Sequence, residues 1–150
     1  MFYVQFDRIE FMKKKKVCVI GLGYIGLPTA ALLAKNGISV VGVDINLDVV
    51  SKINESKIQI IEPDLDHLIK SVISSGQLKA QSTISPSDVY MICVPTPLHE
   101  NDKIPSPNID YVLTATRSIA QFIKSGDLII LESTSPVGTT KKIQETLIDC

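Results

Sequence analysis

Gly21, Gly23 and Gly26 stand in a G-x-G-x-x-G spacing at the end of the apolar run "KVCVIG". Residue type and spacing suit one task. Gly21 allows a tight turn after a strand, and Gly23 removes the side chain where backbone must approach a pyrophosphate. Gly26 lets the following helix pack close to the strand. The start of that helix presents free N–H groups and a positive dipole end to phosphates. Glycine-rich turns are common, so the context carries the reading. Asp44 lies 18 residues after Gly26, at the end of the next apolar run, where a carboxylate can accept hydrogen bonds from an adenine ribose. Its charge would repel a 2′-phosphate, and no Arg or Lys occurs from 45 to 51 to neutralise one. The pattern therefore favours NAD over NADP.

The same stretch supports a competing reading. Val17 to Ala34 is a run of 18 residues without a charge, preceded by four lysines. Length and flanking charge match a membrane anchor or export signal. However, the glycine turn cuts the run, which then continues into a second strand ending in an acid. The segment also supplies the first strand and helix of the only sheet the sequence offers. Burial between layers is the better account of its apolar character, and no membrane association is expected.

The elements that must position these residues follow from the pattern. A continuous apolar strand covered on both faces ends at Gly21. A helix fits Ile25 to Asn36, with Gly37 as its stop. "ISVVGVD" is a second strand, and residues 46 to 54 suggest a short helix. "EPDLDHLIKSVISSG" starts a further helix with Pro63 in its first turn and Gly76 at its end. Leu65, Leu68, Ile69, Val72 and Ile73 form one buried stripe of that helix, with His67 off it and solvated. "LKAQST" is a short strand and "VYMICVP" a strong one. The proline-rich segment "TPLHENDKIPSPN" reads as an ordered loop or lid near a strand end. Ile109, Val112, Leu113, Thr116, Ala120 and Ile123 mark another helix face. "DLIILES" is the next strand, and a last helix begins near Thr139.

This alternation indicates an α/β fold: a Rossmann-like doubly wound parallel sheet with helices on both faces. Ligands in such sheets gather beyond the carboxyl ends of the strands. Gly21 to Gly26, Asp44, Val94 to Thr96 and Glu132 to Gly138 are the places for chemistry.

Composition agrees. The 150 residues are 45% hydrophobic and 21% charged, as in an ordinary soluble domain. A net charge of -1 gives no reason to expect nucleic acid as a partner. Three cysteines without a CxxC pair argue against a zinc site or disulfide framework, so no metal and a reducing cytoplasm are expected. Cys18 and Cys93 read as buried inert thiols, and nothing around Cys150 suggests activation. Residues 1–16, "MFYVQFDRIEFMKKKK", form an N-terminal extension unlike the dinucleotide-binding domain over 17–150.

"VIGLGYIGLPTAALLA", "GVDIN", "IEPDLDHLI", "ICVPTPL" and "ILESTSPVGTT" together resemble the UDP-glucose/GDP-mannose dehydrogenase family in its N-terminal NAD-binding domain. Within that family, "EPDL" and "ESTSPVG" look most like the UDP-N-acetyl-D-mannosamine dehydrogenase branch; the UDP-glucose enzymes usually carry glycine where this chain has Asp64. The resemblance implies oxidation of a UDP-sugar at C6 from alcohol to carboxylate, consuming two NAD. In such enzymes a cysteine in a Gly-Gly-x-Cys setting captures the aldehyde, hydride leaves to a second NAD, and water releases the acid. By the same resemblance, Tyr24 and Ile25 offer backbone N–H groups to the pyrophosphate and Asp44 holds the ribose. Val94 and Thr96 lie near the centre of the cofactor or its nicotinamide ribose. Thr134 is the catalytic residue beside the nicotinamide, helping to position a water. The plain alternative for Thr96 and Thr134 is turn chemistry beside proline. Glu132 is left unassigned.

No Gly-Gly-x-Cys motif occurs in the chain. In relatives the catalytic cysteine, lysine and acid, the dimerising central helix and the nucleotide-sugar domain all follow the cofactor domain. The expectation is thus a truncated cofactor domain, ending inside a helix at "QETLIDC", that binds NAD without turning over substrate. A non-catalytic NAD-sensing module is the alternative, although "ICVPTP" and "ESTSPVGTT" argue against it. Hydroxyacyl-CoA or 6-phosphogluconate-type dehydrogenases form a third reading, disfavoured by the "EPDL" helix start and the motif order.

Overall fold

A computed structural model of the chain describes residues 14–57, 63–99 and 106–150. Most of the N-terminal extension, the "IE" of "IEPDL" and the tip of the proline-rich loop lie outside the described residues, as do the side chains of Pro63 and Asp64.

Five strands form one sheet: β1 (Lys16–Ile20), β2 (Ser39–Val43), β3 (Leu78–Gln81), β4 (Val89–Ile92) and β5 (Leu128–Leu131). Their order is β3-β2-β1-β4-β5, and every pairing is parallel. The order reverses about β1, which makes the edge beyond β1 the crevice of an open α/β sheet. The strands carry α1 (Gly26–Lys35), α2 (Leu47–Asn54), α3 (Pro63–Ser74), α4 (Asp110–Ala120) and α5 (Thr139–Ile148).

Alternation along β1 divides the core. Val17 and Val19 face a layer with Ala30, Ala34, Ile53 and Ile69 from α1, α2 and α3. Cys18 and Ile20 face the opposite layer, with Val112, Ile119 and Ile143 from α4 and α5. Both faces of the sheet are therefore covered, as the uninterrupted apolar strands require.

The stripe of α3 is oriented as its spacing predicts, with Leu65, Ile69 and Val72 buried, Leu68 and Ile73 half-buried, and His67 exposed. Two details depart from the sequence reading. In α4 the buried set is Val112, Ala115, Thr116 and Ile119, so the stripe is rotated from the expected face and Leu113 and Ala120 lie at its margins. An i, i+3, i+4, i+7 stripe tolerates alanine, and Ala115 gave no apolar signal strong enough to place it. The helix also ends at Ala120; Phe122 and Ile123 lie in a following turn, with the Phe122 N–H donating to the Ile119 carbonyl at 2.9 Å.

Candidate cofactor site

Register brings the strand ends to one edge. Ile20 pairs with Val43 and with Ile92, Val43 with Gln81, and Ile92 with Leu131. The residues that follow these positions are Gly21, Asp44, Cys93 and Glu132, so three of the four expected clusters emerge side by side and the loop from Val94 to Thr96 follows directly.

Gly21 adopts φ +93°, and a Cβ there would sit 2.6 Å from the Cys93 carbonyl oxygen. Its own N–H donates to Val43 at 2.8 Å, which keeps the turn on the sheet. A Cβ on Gly26 would overlap the Gly21 carbonyl oxygen and touch the Cys93 side chain at 3.0 Å. Gly23 differs: a Cβ there would meet nothing within 4 Å. The space beside it is open, as a position must be if a ligand is to come up against its backbone.

The first turn of α1 is bare. Ile25 caps it without a side-chain hydrogen bond, and no acid lies in that turn. Among the described residues no acceptor meets the N–H groups of Gly23, Tyr24 or Ile25, and the side chains of Tyr24 and Ile25 are exposed. Unsatisfied donors at a positive dipole end constitute an anion site, and here they adjoin a glycine with open space.

Asp44 is half-buried. Its Oδ2 accepts the Leu22 N–H at 2.9 Å and its Oδ1 accepts the Asn46 N–H at 2.9 Å. The acid thus braces the glycine turn from the end of β2. A carboxylate has about four lone-pair sites, so two remain for ribose hydroxyls.

On the other side of β1, the expected residues Val94, Thr96 and Thr134 are brought together. The Thr96 hydroxyl donates to the Thr134 carbonyl at 2.7 Å. Thr134 is exposed, and its own hydroxyl has no partner among the described residues. The ends of the proline-rich loop are pinned by an isolated antiparallel bridge between Leu98 and Pro107; residues 100–105 of the loop lie outside the described residues.

Two contributors escaped the sequence reading. Ser133 donates its hydroxyl to the Val94 carbonyl at 2.7 Å; its partner is 39 residues away, and a single serine at a strand end carries no such signal. Gly42 lies where a Cβ would meet Leu22 at 2.7 Å, so it admits the side chain next to the glycine turn. A lone glycine within an apolar strand is a recognised sign of close approach and could have flagged it.

Burial pushes the Cys18 thiol up to about 12. Burial, with the Glu132 charge adding to it, pushes the half-buried Cys93 thiol up to about 11. Among the described residues no helix is long and apolar enough to cross a membrane.

A glycine turn, a bare helix start and an acid at the end of the neighbouring strand define a dinucleotide-binding α/β domain. The comparisons are more specific. The model of the UDP-glucose/GDP-mannose dehydrogenase family, NAD binding domain, matches residues 15–150. A UDP-N-acetyl-D-mannosamine dehydrogenase of Campylobacter jejuni is 51% identical over 134 residues, 89% of this chain and 32% of the relative. An NDP-N-acetyl-D-galactosaminuronic acid dehydrogenase of Ralstonia nicotianae is 45% identical over 141 residues, 94% of this chain and 33% of the relative. The solved structure of a UDP-N-acetyl-mannosamine dehydrogenase from Staphylococcus aureus superposes with a TM-score of 0.84 at 43% identity, covering 89% of this chain and 32% of that one. The chain belongs to the UDP-glucose/GDP-mannose dehydrogenase family as its NAD-binding domain. It spans about a third of the length of the relatives it matches.

Proposed function

We propose that the chain is the NAD-binding portion of a nucleotide-sugar 6-dehydrogenase, with UDP-N-acetylmannosamine as the sugar whose C6 alcohol is oxidised to the carboxylate. The sugar rests on the names of the similar proteins; an NDP-linked N-acetyl-D-galactosamine is the second candidate, since a relative named as an NDP-N-acetyl-D-galactosaminuronic acid dehydrogenase is 45% identical. The site residues have assigned tasks. Backbone N–H groups of Gly23, Tyr24 and Ile25 hold the pyrophosphate, within a turn whose shape Gly21 and Gly26 permit. Asp44 receives the adenine ribose hydroxyls. Val94 and Thr96 line the nicotinamide ribose side, and Thr134 stands beside the nicotinamide with a free hydroxyl that can orient a water. When bound, NAD supplies the hydride acceptor. The residues of this chain bind and orient it at the sheet edge. We place the protein in the cytoplasm, where a nucleotide-sugar dehydrogenase meets its substrates.

One observation carries this reading: three unpartnered N–H groups at the start of α1 lie next to the open side of Gly23, one strand from the Asp44 carboxylate. Calorimetric titration of the chain should show NAD binding, with NADP at least about tenfold weaker because a 2′-phosphate would meet the Asp44 charge. Equal affinity for the two, or none for NAD, would sink the assignment. Mixed with NAD and UDP-N-acetylmannosamine, this chain alone should give no rise in NADH absorbance, because no Gly-Gly-x-Cys motif occurs in its sequence. A sustained rise would overturn that part.

A further inference from the structure

We infer that Ser133 and Thr96 form a two-way hydroxyl clasp that locks the loops after β4 and β5 together, and that the clasp positions these loops for the nicotinamide half of the cofactor while leaving the adenine half untouched. The inference rests on the NAD-binding reading above.

Pairing of β4 with β5 ends at Ile92 and Leu131. The Ile92 carbonyl then takes both the Glu132 N–H at 3.0 Å and the Ser133 N–H at 3.2 Å. Beyond that point Pro95, Pro97 and Pro136 have no N–H to offer, so a backbone ladder cannot continue. Two hydroxyls replace it. Ser133 on the β5 side donates to the Val94 carbonyl at 2.7 Å, and Thr96 on the β4 side donates to the Thr134 carbonyl at 2.7 Å. Each loop gives one proton and receives one, so neither can shift along the other without losing both bonds.

The clasp also sets the polarity of the surface. A hydroxyl has one proton, and Thr96 spends its proton on Thr134. What Thr96 then shows outward is an acceptor, suited to an amide N–H or a ribose O–H. The Thr134 hydroxyl remains free to donate or accept. The strand order puts this arrangement on the β4–β5 side of β1 and Asp44 on the β2 side. A dinucleotide with its pyrophosphate on the β1–α1 turn and its adenine ribose at Asp44 extends its other half towards the clasp.

The test uses NAD and ADP, which share the adenosine and the pyrophosphate, while ADP lacks the nicotinamide and its ribose. Affinities of both are measured by calorimetric titration for the wild-type chain and for Ser133→Ala, Thr96→Val and Thr96→Ser, together with each variant's Tm. Ser133→Ala and Thr96→Val should each weaken NAD by about tenfold and change ADP by less than about twofold. Thr96→Ser, which keeps the hydroxyl, should restore NAD binding. A merely structural clasp would lower Tm and leave the NAD to ADP ratio unchanged, and that result overturns the inference. Wild-type chain that binds ADP no more weakly than NAD overturns the nicotinamide-side placement as well. Wild-type chain that binds neither sinks the NAD reading and the clasp with it. If Ser133→Ala does not fold, the two Thr96 variants decide alone, because they address the other bond of the same pair.

Discussion

Around Gly21 and Gly26 the backbone path is dictated by space that no side chain can enter, whereas around Val94 and Ser133 it is dictated by where two hydroxyl protons go. The first region is fixed sterically: a Cβ at Gly21 would press on the Cys93 carbonyl, and one at Gly26 would overlap the Gly21 carbonyl. The second is fixed by a pair of side-chain to backbone hydrogen bonds at 2.7 Å, in loops too rich in proline for a ladder. Repulsion between atoms is steep and has no substitute, while a hydrogen bond exchanged with water is worth only about 1 kcal/mol net. One half of the crevice is therefore held by steric contacts and the other by a weaker hydroxyl clasp. The division suits a redox cofactor, whose adenine end only anchors and whose nicotinamide end must meet a second reactant.

The sharpest way to break this contrast is to add a methyl group to the scaffold. Gly26→Ala should destabilise the chain by about 3 kcal/mol or more, or prevent folding, because the overlapping atom is backbone and cannot move aside. Gly21→Ala should come close behind, since the φ of +93° adds strain to the clash. Urea unfolding monitored by circular dichroism would measure both. Losses below about 1 kcal/mol for either would show that the turn is adjustable after all.

This asymmetry also governs how much could be read from the sequence. Sterically fixed positions announce themselves by residue type, so Gly21, Gly26 and the helix stops at Gly37 and Gly76, both at positive φ, were legible one by one, and Gly23 was legible by its spacing between the first two. The five parallel strands were legible because burial on both faces demands unbroken apolar runs. Asp44 was legible through its distance from the glycines, although the bond from the Leu22 N–H that makes it a brace was not. Thr96 and Thr134 were placed as site residues by family resemblance, yet nothing local showed that one would donate to the other across 38 positions. Ser133 escaped notice for the same reason. Its role depends on the pairing of β4 with β5, and a pairing is a property of two segments. The face of α4 was misjudged because Ala115, small and apolar only weakly, is buried by its neighbours.

Asp44 lies on the boundary between the two regimes, fixing the glycine turn by hydrogen bonds. Asp44→Ala frees the N–H groups of Leu22 and Asn46 from charged acceptors and should cost about 1–2 kcal/mol. The same variant should lose most of its preference for NAD over NADP. A stability loss with the preference intact would make Asp44 a brace alone.

The thiols of Cys18 and Cys93 offer a smaller probe of how firmly the sheet is covered. Each is raised from an ordinary 9.0, Cys18 to about 12 and Cys93 to about 11. A raised folded-state value means that the neutral thiol is favoured by the fold. The stability is then fully present below pH 9 and is lost as pH climbs towards the folded values. Unfolding free energy should be level from pH 7 to 8.5 and fall above 9, with Cys18 contributing about 1 kcal/mol of loss near pH 10. Alkylation should proceed at the exposed Cys150 first, then at the half-buried Cys93, and last at the buried Cys18. Cys18 reacting before Cys93 would contradict that order of burial.

The smallest effect on stability is expected at Gly23, and it is the most informative because it comes from within the same glycine motif. A Cβ at this position would meet no atom within 4 Å, and the backbone is not among those at positive φ. Gly23→Ala should therefore leave the unfolding free energy within about 0.5 kcal/mol of wild type, and can raise it slightly by restricting the unfolded chain. NAD affinity should respond in the opposite manner. The added methyl group would occupy the space beside the unpartnered N–H groups of Tyr24 and Ile25, where the pyrophosphate would lie, so binding should fall by about tenfold or more. ADP should lose as much as NAD, unlike in the Ser133 and Thr96 variants, because both ligands carry the pyrophosphate. Stability held with both ligands lost would separate a glycine kept for the ligand from two glycines kept for the fold. Stability lost with binding retained would mean that all three serve packing, and the contrast between the halves of the crevice would then have to be drawn elsewhere.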